Sequence, residues 1–460
     1  MRACRASGIV AAAMRARIAQ AAPGALPALA AIALVNILFL AASFCAASAP
    51  AAPRLAKVRQ AFAAGELVDR DYLKSDWRRG KDQYNDCVVL QLAVNSRGSL
   101  ARKALAPAFY VSDGAHPDVC RSLRRLATGE TDPASISGDS YSRYWHGYVP
   151  LTGALLAFTD VGTARQALRL FVIAALLALA ATASRAGGAT RIAGISVGVT
   201  GLLFWGLPYY GQGLSFAPGD ALVILGIAAL ILWRRALASI SALLVFSAAY
   251  GSLIAYMDFL TGPLPTGACL LFLFTWLARF DASRGGAPGD AWRKAFGALV
   301  AYALGAVLTV AIKQVLVLAL LGPGELRSFA MNAELYTGIA DVRALPSDYA
   351  GGFLTLFKYT PLLTYYSIAG GAALLLCSAL AWASAAFLAS RSSGKAKSLF
   401  LAHATAASGI AFWVLLLPVH TALHGFMTRM LIVPFAFGWS ALALLSRPHP
   451  HSQRGSARTP

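Results

Sequence analysis

The chain has 460 residues, 58% of them hydrophobic and only 13% charged, and its mean hydropathy is +0.60. Soluble domains carry about 25% charged residues, so a soluble globular protein and a disordered chain are both excluded. The basic surplus, 40 Lys and Arg against 20 Asp and Glu for a net charge of +20, would suggest nucleic acid in a soluble protein; here it has to be read against the membrane first.

A spanning helix needs about 20 mostly apolar residues, because the hydrocarbon core is about 30 Å thick and a helix rises about 1.5 Å per residue. No charge occurs from Ile18 to Pro53. Its densest apolar run, 27–48, exceeds the roughly 7–15 residues of a signal-peptide core and predicts an uncleaved first span over 25–48 behind a basic tail, 1–24. A large polar loop, 49–166, follows and ends in an apolar elbow at 148–158 that is too short to cross. Runs near 167–184, 192–208, 219–233, 236–257, 263–278 and 296–321 predict spans two to seven within 167–321. A second polar loop, 322–360, leads to runs near 361–389, 399–418 and 429–446, spans eight to ten within 361–446, and the Arg/Ser/Pro-rich tail 447–460 reads as disordered. The expected fold class is an all-α polytopic membrane protein with about ten transmembrane helices and a large first periplasmic loop.

Basic residues concentrate in short cytoplasmic loops. Alternation of ten spans puts Arg2, Arg5, Arg15 and Arg17 on one side with Arg185, Arg191, Arg234, Arg235, Arg279, Arg284, Arg293, Lys294, Arg391, Lys395, Lys397, Arg447, Arg454 and Arg458. These are 18 of the 40 basic residues, accompanied there by two of the 20 acids, Asp281 and Asp290, while the short loops opposite, 209–218, 258–262 and 419–428, contain no Lys or Arg. Both termini are therefore expected in the cytoplasm. The surplus is mostly a statement of topology, and no nucleic-acid partner is expected. Cys87 and Cys120 are the two cysteines of the long loop, where a disulfide is permitted. It would close a loop of about 34 residues worth roughly 3–4 kcal/mol in the chain-entropy treatment; two free thiols are the other reading.

Four constellations lie on the predicted outer face. "DYLKSDWRRGKDQYNDC", 71–87, sets Asp71, Asp76, Asp82 and Asp86 beside Arg78, Arg79 and Lys81; carboxylates there suit a general base or a divalent cation and arginines suit phosphate, against the plain reading of a solvated charge run. Asp86 opens the apolar stretch "CVVLQLAV" and is expected to be partly desolvated. "YSRYWHGY", 141–148, reads as an interfacial aromatic belt for Trp145 and the tyrosines, with Arg143 and His146 as phosphate ligands. "YMDFLTGPLPTG", 256–267, makes a short outer turn with Asp258 as its lone acid, whose plain reading is a helix N-cap. "LPVHTALHGFMTR", 417–429, puts His420 and His424 on one face if helical, with Arg429 at the head of the last span. Thr421 occupies the place of the glutamate in HExxH, which excludes that zinc-protease motif. Lys313 lies within snorkelling reach of the headgroups.

No Walker A, GxGxxG, CxxC or GxSxG signature occurs, so chemistry is expected outside with a lipid-carried activated group. The architecture, with "YSRYWHGY", "MDFLTGPL" and "HTALHGFMTR", resembles GT-C-type glycosyltransferases and a group of bacterial polytopic proteins of cell-envelope glycan synthesis. That resemblance implies a polyprenyl-phosphate-linked sugar donor and an envelope glycan, lipid or protein acceptor. It implies an inverting displacement with an acidic base: Asp86, or Asp82 or Asp76, because the adjacent acidic pair common in the family is missing after the first span. Arg143, His146, Asp258, His420, His424, Arg429 and Lys313 would hold donor phosphate and sugar, and a divalent cation (Mg or Mn) is compatible but not demanded. An O-antigen ligase or polymerase and a lipid-linked sugar flippase or transporter are the alternatives.

Overall fold

The computed structural model describes residues 2–71, 83–94, 97–110, 118–131, 138–204, 213–258, 260–282, 288–337, 345–358, 368–392 and 394–447. The chain opens with α1 (Arg2–Ser48), then α2 (Ala51–Ala63), α3 (Tyr84–Ala93), α4 (Leu100–Leu105), β1 (Ala108–Tyr110), α5 (Val119–Thr128) and β2 (Gly138–Ser140). The elbow is α6 (Tyr148–Phe158), followed by α7 (Val161–Ala186), α8 (Gly188–Phe204), α9 (Phe216–Leu232), α10 (Ile240–Met257), α11 (Pro263–Ala282) and α12 (Pro288–Leu321). After α13 (Gly324–Thr337) and α14 (Leu345–Lys358) come α15 (Ile368–Ser390), α16 (Gly394–Leu416), α17 (Pro418–Leu423), a 3-10 turn (Gly425–Leu431) and α18 (Ile432–Leu445). The one sheet among the described residues pairs β1 with β2 antiparallel, Phe109 opposite Asp139.

Among the described residues eight helices are long and apolar enough to cross a membrane, beginning with Gly24–Ser48 and ending with Met427–Leu445. The chain is thus a multi-pass, helical membrane protein. Two of the ten expected spans, α8 and α9, fall among the shorter apolar helices. Each has 17 residues, which at about 1.5 Å per residue falls a little short of the hydrocarbon thickness. Large apolar side chains stay exposed on the outward faces, Leu34, Ile37 and Leu38 of α1 and Val300, Leu304 and Val307 of α12 among them. Water would penalise such a stripe; lipid does not.

Packing uses small residues, as it must where helix association lacks a hydrophobic drive. A Cβ on Gly251 of α10 would come within 2.0 Å of the Tyr302 carbonyl oxygen, and one on Gly305 of α12 within 2.1 Å of the Ala248 oxygen. The two backbones touch there, and Ser252 Oγ donates to Gly305 O at 3.1 Å. Asn36 of α1 joins them by donating to Thr309 Oγ1 at 3.0 Å.

Among the described residues the long loop shares the core of the bundle. Val58, Leu67, Val89, Leu90 and Leu123 belong to the same buried cluster as Leu168, Val172 and Ile224 of the bundle. Residues 84–93 form α3, and α4 stops at Leu105 before the chain enters β1 at Ala108. A disulfide joins Cys87 to Cys120 and ties α3 to α5. The second polar loop holds two helices, α13 and α14.

Candidate functional site

The α10–α11 turn is the centre of a buried polar layer. α10 ends at Asp258, whose φ of −158° and ψ of 92° leave the helical region, and Pro263 opens α11, where a missing N–H costs nothing. Asp258 Oδ1 accepts the Thr261 N–H at 3.0 Å, and the Thr261 hydroxyl donates to Oδ2. The carboxylate therefore braces its own turn; as the residue that ends α10 it is not the N-cap of α11.

Arg429 enters this turn from the 3-10 segment. Its Nη1 donates to Asp220 Oδ2 at 2.5 Å, and its Nη2 donates to the Thr261 carbonyl and, at 2.9 Å, to Thr261 Oγ1. Asp258 Oδ2 is 3.9 Å away, and the Phe216 ring lies under the guanidinium at 4.4 Å. A planar fork of five donors can satisfy two acids and a threonine at once, which a lysine cannot. Burial pushes the Asp258 carboxyl up to about 6, against the pull of Arg429 and Thr261, and Asp220 adds to the rise. Near neutrality this acid is poised between its two states.

His420 docks on the same turn, 3.0 Å from Nε2 to the Leu260 carbonyl. Burial and the neighbouring His424 lower His420 to about 3, and burial lowers His424 to about 4, so both are neutral. A neutral His420 facing a carbonyl carries its proton on Nε2 and presents Nδ1 as an acceptor, and Nδ1 is buried without a partner. The sequence placed the two histidines on one helix face. Instead α17 stops at Leu423 and His424 leaves the helical region at φ −114°, ψ 98°, yet the rings still meet at 4.5 Å.

Tyr336 of α13 stands edge-on to His420 at 4.6 Å, and its hydroxyl accepts from Arg143 Nη1 at 3.2 Å. Arg143 lies over the Tyr141 ring at 5.3 Å. Tyr141 stacks on His146 at 4.3 Å, and His146 Nδ1 meets the Tyr148 hydroxyl at 2.8 Å. Burial drives His146 well below the ordinary histidine value, helped by the charge of Lys313. Segment 141–148 is hung on α12: Gln314 donates to the carbonyls of Ser142 and Arg143 at 3.2 and 2.7 Å, Lys313 to that of Tyr144, and Trp145 donates to Thr309 O at 3.0 Å.

Two expectations change here. Trp145 is 1% exposed, sealed by α12 and α10, so it is a core anchor and not a residue of an interfacial belt. Lys313 is 1% exposed as well; it does climb its helix, but it ends beneath the loop and not among headgroups.

The base expected at Asp86 is held differently. Its Oδ2 accepts Arg165 Nε at 2.8 Å and its Oδ1 the Leu214 N–H at 2.9 Å, and the residue is fully buried. Burial raises its carboxyl against the pull of Arg165. With both oxygens engaged, Asp86 braces α3 against α7 and the entrance of α9. Asp76 and Asp82 lie outside the described residues. Asp71 accepts the Val119 and Cys120 N–H groups at 3.0 and 2.8 Å, capping α5 beside the disulfide.

The structure thus links Arg143, His146, Asp258, His420, His424, Arg429 and Lys313 through a chain of contacts and leaves Asp86 outside it. Asp220, Thr261 and Tyr336 belong to that chain and were missed. Asp220 carried a usable signal, an acid at the head of an apolar run; Tyr336 carried none. Among the described residues no group of three or more His, Cys, Asp or Glu is arranged to hold a metal. The facing acids Asp220 and Asp258 already enclose the Arg429 guanidinium, so a divalent cation does not fit between them.

Fold and cluster together define a helical multi-pass membrane protein with a buried layer of cations, neutral histidines and carboxylates at one end of its bundle. No family model, curated protein or solved structure matches the chain.

Proposed function

We propose that the chain is a GT-C-like membrane glycosyltransferase, moving a sugar from a polyprenyl-phosphate donor to an envelope glycan, lipid or protein acceptor on the outer face of the bacterial inner membrane. The observation that supports this most is one connected layer drawn from segments far apart in the chain: Arg429 beside the poised acid Asp258, His420 on the carbonyl of Leu260 in the same turn, and Arg143 joined to His420 through Tyr336. In the displacement the acceptor hydroxyl oxygen attacks the anomeric carbon while the bond from that carbon to the phosphate oxygen breaks. The electron pair leaves with the lipid phosphate and the hydroxyl proton passes to a carboxylate. Asp258, raised to about 6, is the described carboxylate that suits this transfer near neutral pH. It keeps lone pairs beyond those that Thr261 uses. Arg143 and the neutral histidines would stabilise the growing phosphate charge.

Purified protein in detergent, given a polyprenyl-linked sugar and an acceptor, should transfer the sugar without a membrane gradient. Asp258→Asn should reduce transfer at least about 100-fold, the usual scale of a lost acid–base group, while the unfolding midpoint is retained. Undiminished transfer by that variant removes Asp258 from the mechanism. A lipid-linked sugar flippase is the second reading, favoured by the buried Asp220–Arg429 pair inside the bundle, a placement typical of transport pathways. Translocation in vesicles with no transfer in detergent would select it.

A further inference from the structure

On the far side of the Tyr141–Tyr144 wall from Arg429 lies a second feature, a cleft of about 40 Å³ between the end of α1, α2, α4, α6 and α12. Arg54, Lys103, His146 and Lys313 all line it, and no acid does. Such a collection is unfavourable by itself, because like charges repel and buried charge without a counter-charge costs several kcal/mol. Arg54 and Lys313 are 5% and 1% exposed.

Their internal partners do not neutralise them. Arg54 gives Nη2 to Ala49 O at 2.7 Å and Nη1 to Ala46 O at 3.4 Å. Those carbonyls at the end of α1 carry partial charge and not a full counter-charge. The Lys313 ammonium has three donors, and among the described residues it reaches one acceptor, Tyr144 O, with the Trp145 ring 5.6 Å away. Among the described residues two further buried atoms lack a hydrogen bond of good geometry, Arg54 Nε and His146 Nε2. If His146 accepts the Tyr148 hydroxyl at Nδ1, its Nε2 carries a hydrogen, and the Tyr141 backbone, which also interacts with this ring, brings no counter-charge. The cleft therefore offers charge and donors, and lacks an acceptor that brings negative charge.

Its position names the source. Ser43, Ala46 and Ala47 close one wall, at the last turn of the span Gly24–Ser48. Directly below, the same helix exposes Leu34, Ile37 and Leu38. An anion seated in the cleft and carrying an acyl or prenyl tail could lay that tail along α1 without leaving the membrane. The space holds a few waters or one phosphoryl group, and it has no room for a sugar.

We propose that this cleft binds the phosphate of an anionic membrane lipid, with Arg54, Lys103 and Lys313 supplying charge and His146 Nε2 donating a hydrogen bond. The cleft shares His146 and Lys313 with the expected donor-phosphate set but uses neither Asp258 nor Arg429, so its lipid-binding test and the transfer assay can fail separately. The probe is phosphatidylglycerol against phosphatidylcholine, titrated onto the detergent-purified full chain and followed by native mass spectrometry, with inorganic phosphate as competitor. Phosphatidylglycerol should bind at about tenfold lower concentration than phosphatidylcholine, and millimolar inorganic phosphate should displace it. Lys103→Gln should remove most of that preference and Lys103→Arg should keep it. Lys103 is half-buried and its one hydrogen bond among the described residues is its backbone N–H to the Ser99 carbonyl at 3.0 Å, which both variants keep; their unfolding midpoints check that they fold. Arg54→Gln, checked by its unfolding midpoint, should lose more. Equal binding of the two lipids, or an unchanged preference in Lys103→Gln, overturns the proposal. Binding of inorganic phosphate with no lipid preference overturns the assignment to a lipid.

Discussion

The two ends of the helical bundle hold their charges in opposite ways. At the end bearing Arg185, Arg191 and Arg234, charge is exposed or spent on helix termini. Asp281 accepts the Ala189 and Thr190 N–H groups at the head of α8, Arg279 donates to the carbonyls of Leu237 and Ala238, and Asp290 meets Arg293 and Lys294 on the surface. At the other end Asp86 with Arg165, and Asp220 with Arg429, are sealed from solvent. The first arrangement needs only to stay out of the bilayer. The second takes ions out of water and needs several strong partners to be tolerated at all. Charges kept at that cost are the ones to examine for function.

The comparison breaks most visibly at Asp86. Asp86→Ala leaves the Arg165 guanidinium buried without its acid and should destabilise by about 3–5 kcal/mol, read as a lower unfolding midpoint in detergent. Asp86→Leu combined with Arg165→Met should recover most of the loss, because it removes both ions together. If the double variant is as unstable as the single one, the pair does more than brace. Next in size is the disulfide beside it. Cys87→Ser with Cys120→Ser releases a loop of 33 residues and should cost about 3–4 kcal/mol. Limited proteolysis should then cut first between α3 and α5.

The Asp258 turn sharpens the contrast through pH. Its folded value of about 6 lies above about 3.9 for an unfolded aspartate, so its contribution to stability is complete below about pH 4 and is lost as pH rises through about 6. His420 and His424 act the other way. Folded near 3 and 4 against about 6.5 unfolded, they stabilise above about pH 6.5 and lose that contribution as pH falls. Asp258→Asn removes the opposing share, so the unfolding midpoint should drop more steeply between about pH 6 and about pH 4 than in the parent. His420→Gln should flatten it. Parallel profiles would mean that these groups titrate as they do in water.

What the sequence disclosed divides along the same line. The spans were legible because about 20 apolar residues in a row have few other uses, and the elbow because its apolar run at 148–158 was too short. The gathering of Arg143, His146, Asp258, His420 and Arg429 was legible as a list of polar residues at one set of span ends. Their partners were not. Asp86 meets Arg165 across 79 residues and Asp220 meets Arg429 across 209, and no local pattern encodes such a pairing. Desolvation of Asp86 could be expected from the apolar stretch it opens; its partner Arg165 could not. Trp145 looked interfacial because tryptophans often are. Only the hydrogen bond to Thr309 and the packing of α10 make it a core residue.

The smallest effect belongs at the opposite end, where the comparison can fail most cheaply. Asp290 is half-exposed and its Arg293 partner 72% exposed, so the ions lose little hydration and their attraction is screened. Asp290→Asn should change stability by no more than about 0.5 kcal/mol, and raising the salt concentration should erase even that. The same kind of change, a carboxylate replaced by a neutral side chain, is made at Asp86 and at Asp290, so the difference between the two losses isolates burial from charge. A loss at Asp290 as large as that at Asp86 would mean that the exposed end is also an energetic keystone. Sealing of charge would then no longer single out the end that carries Asp258 and Arg429.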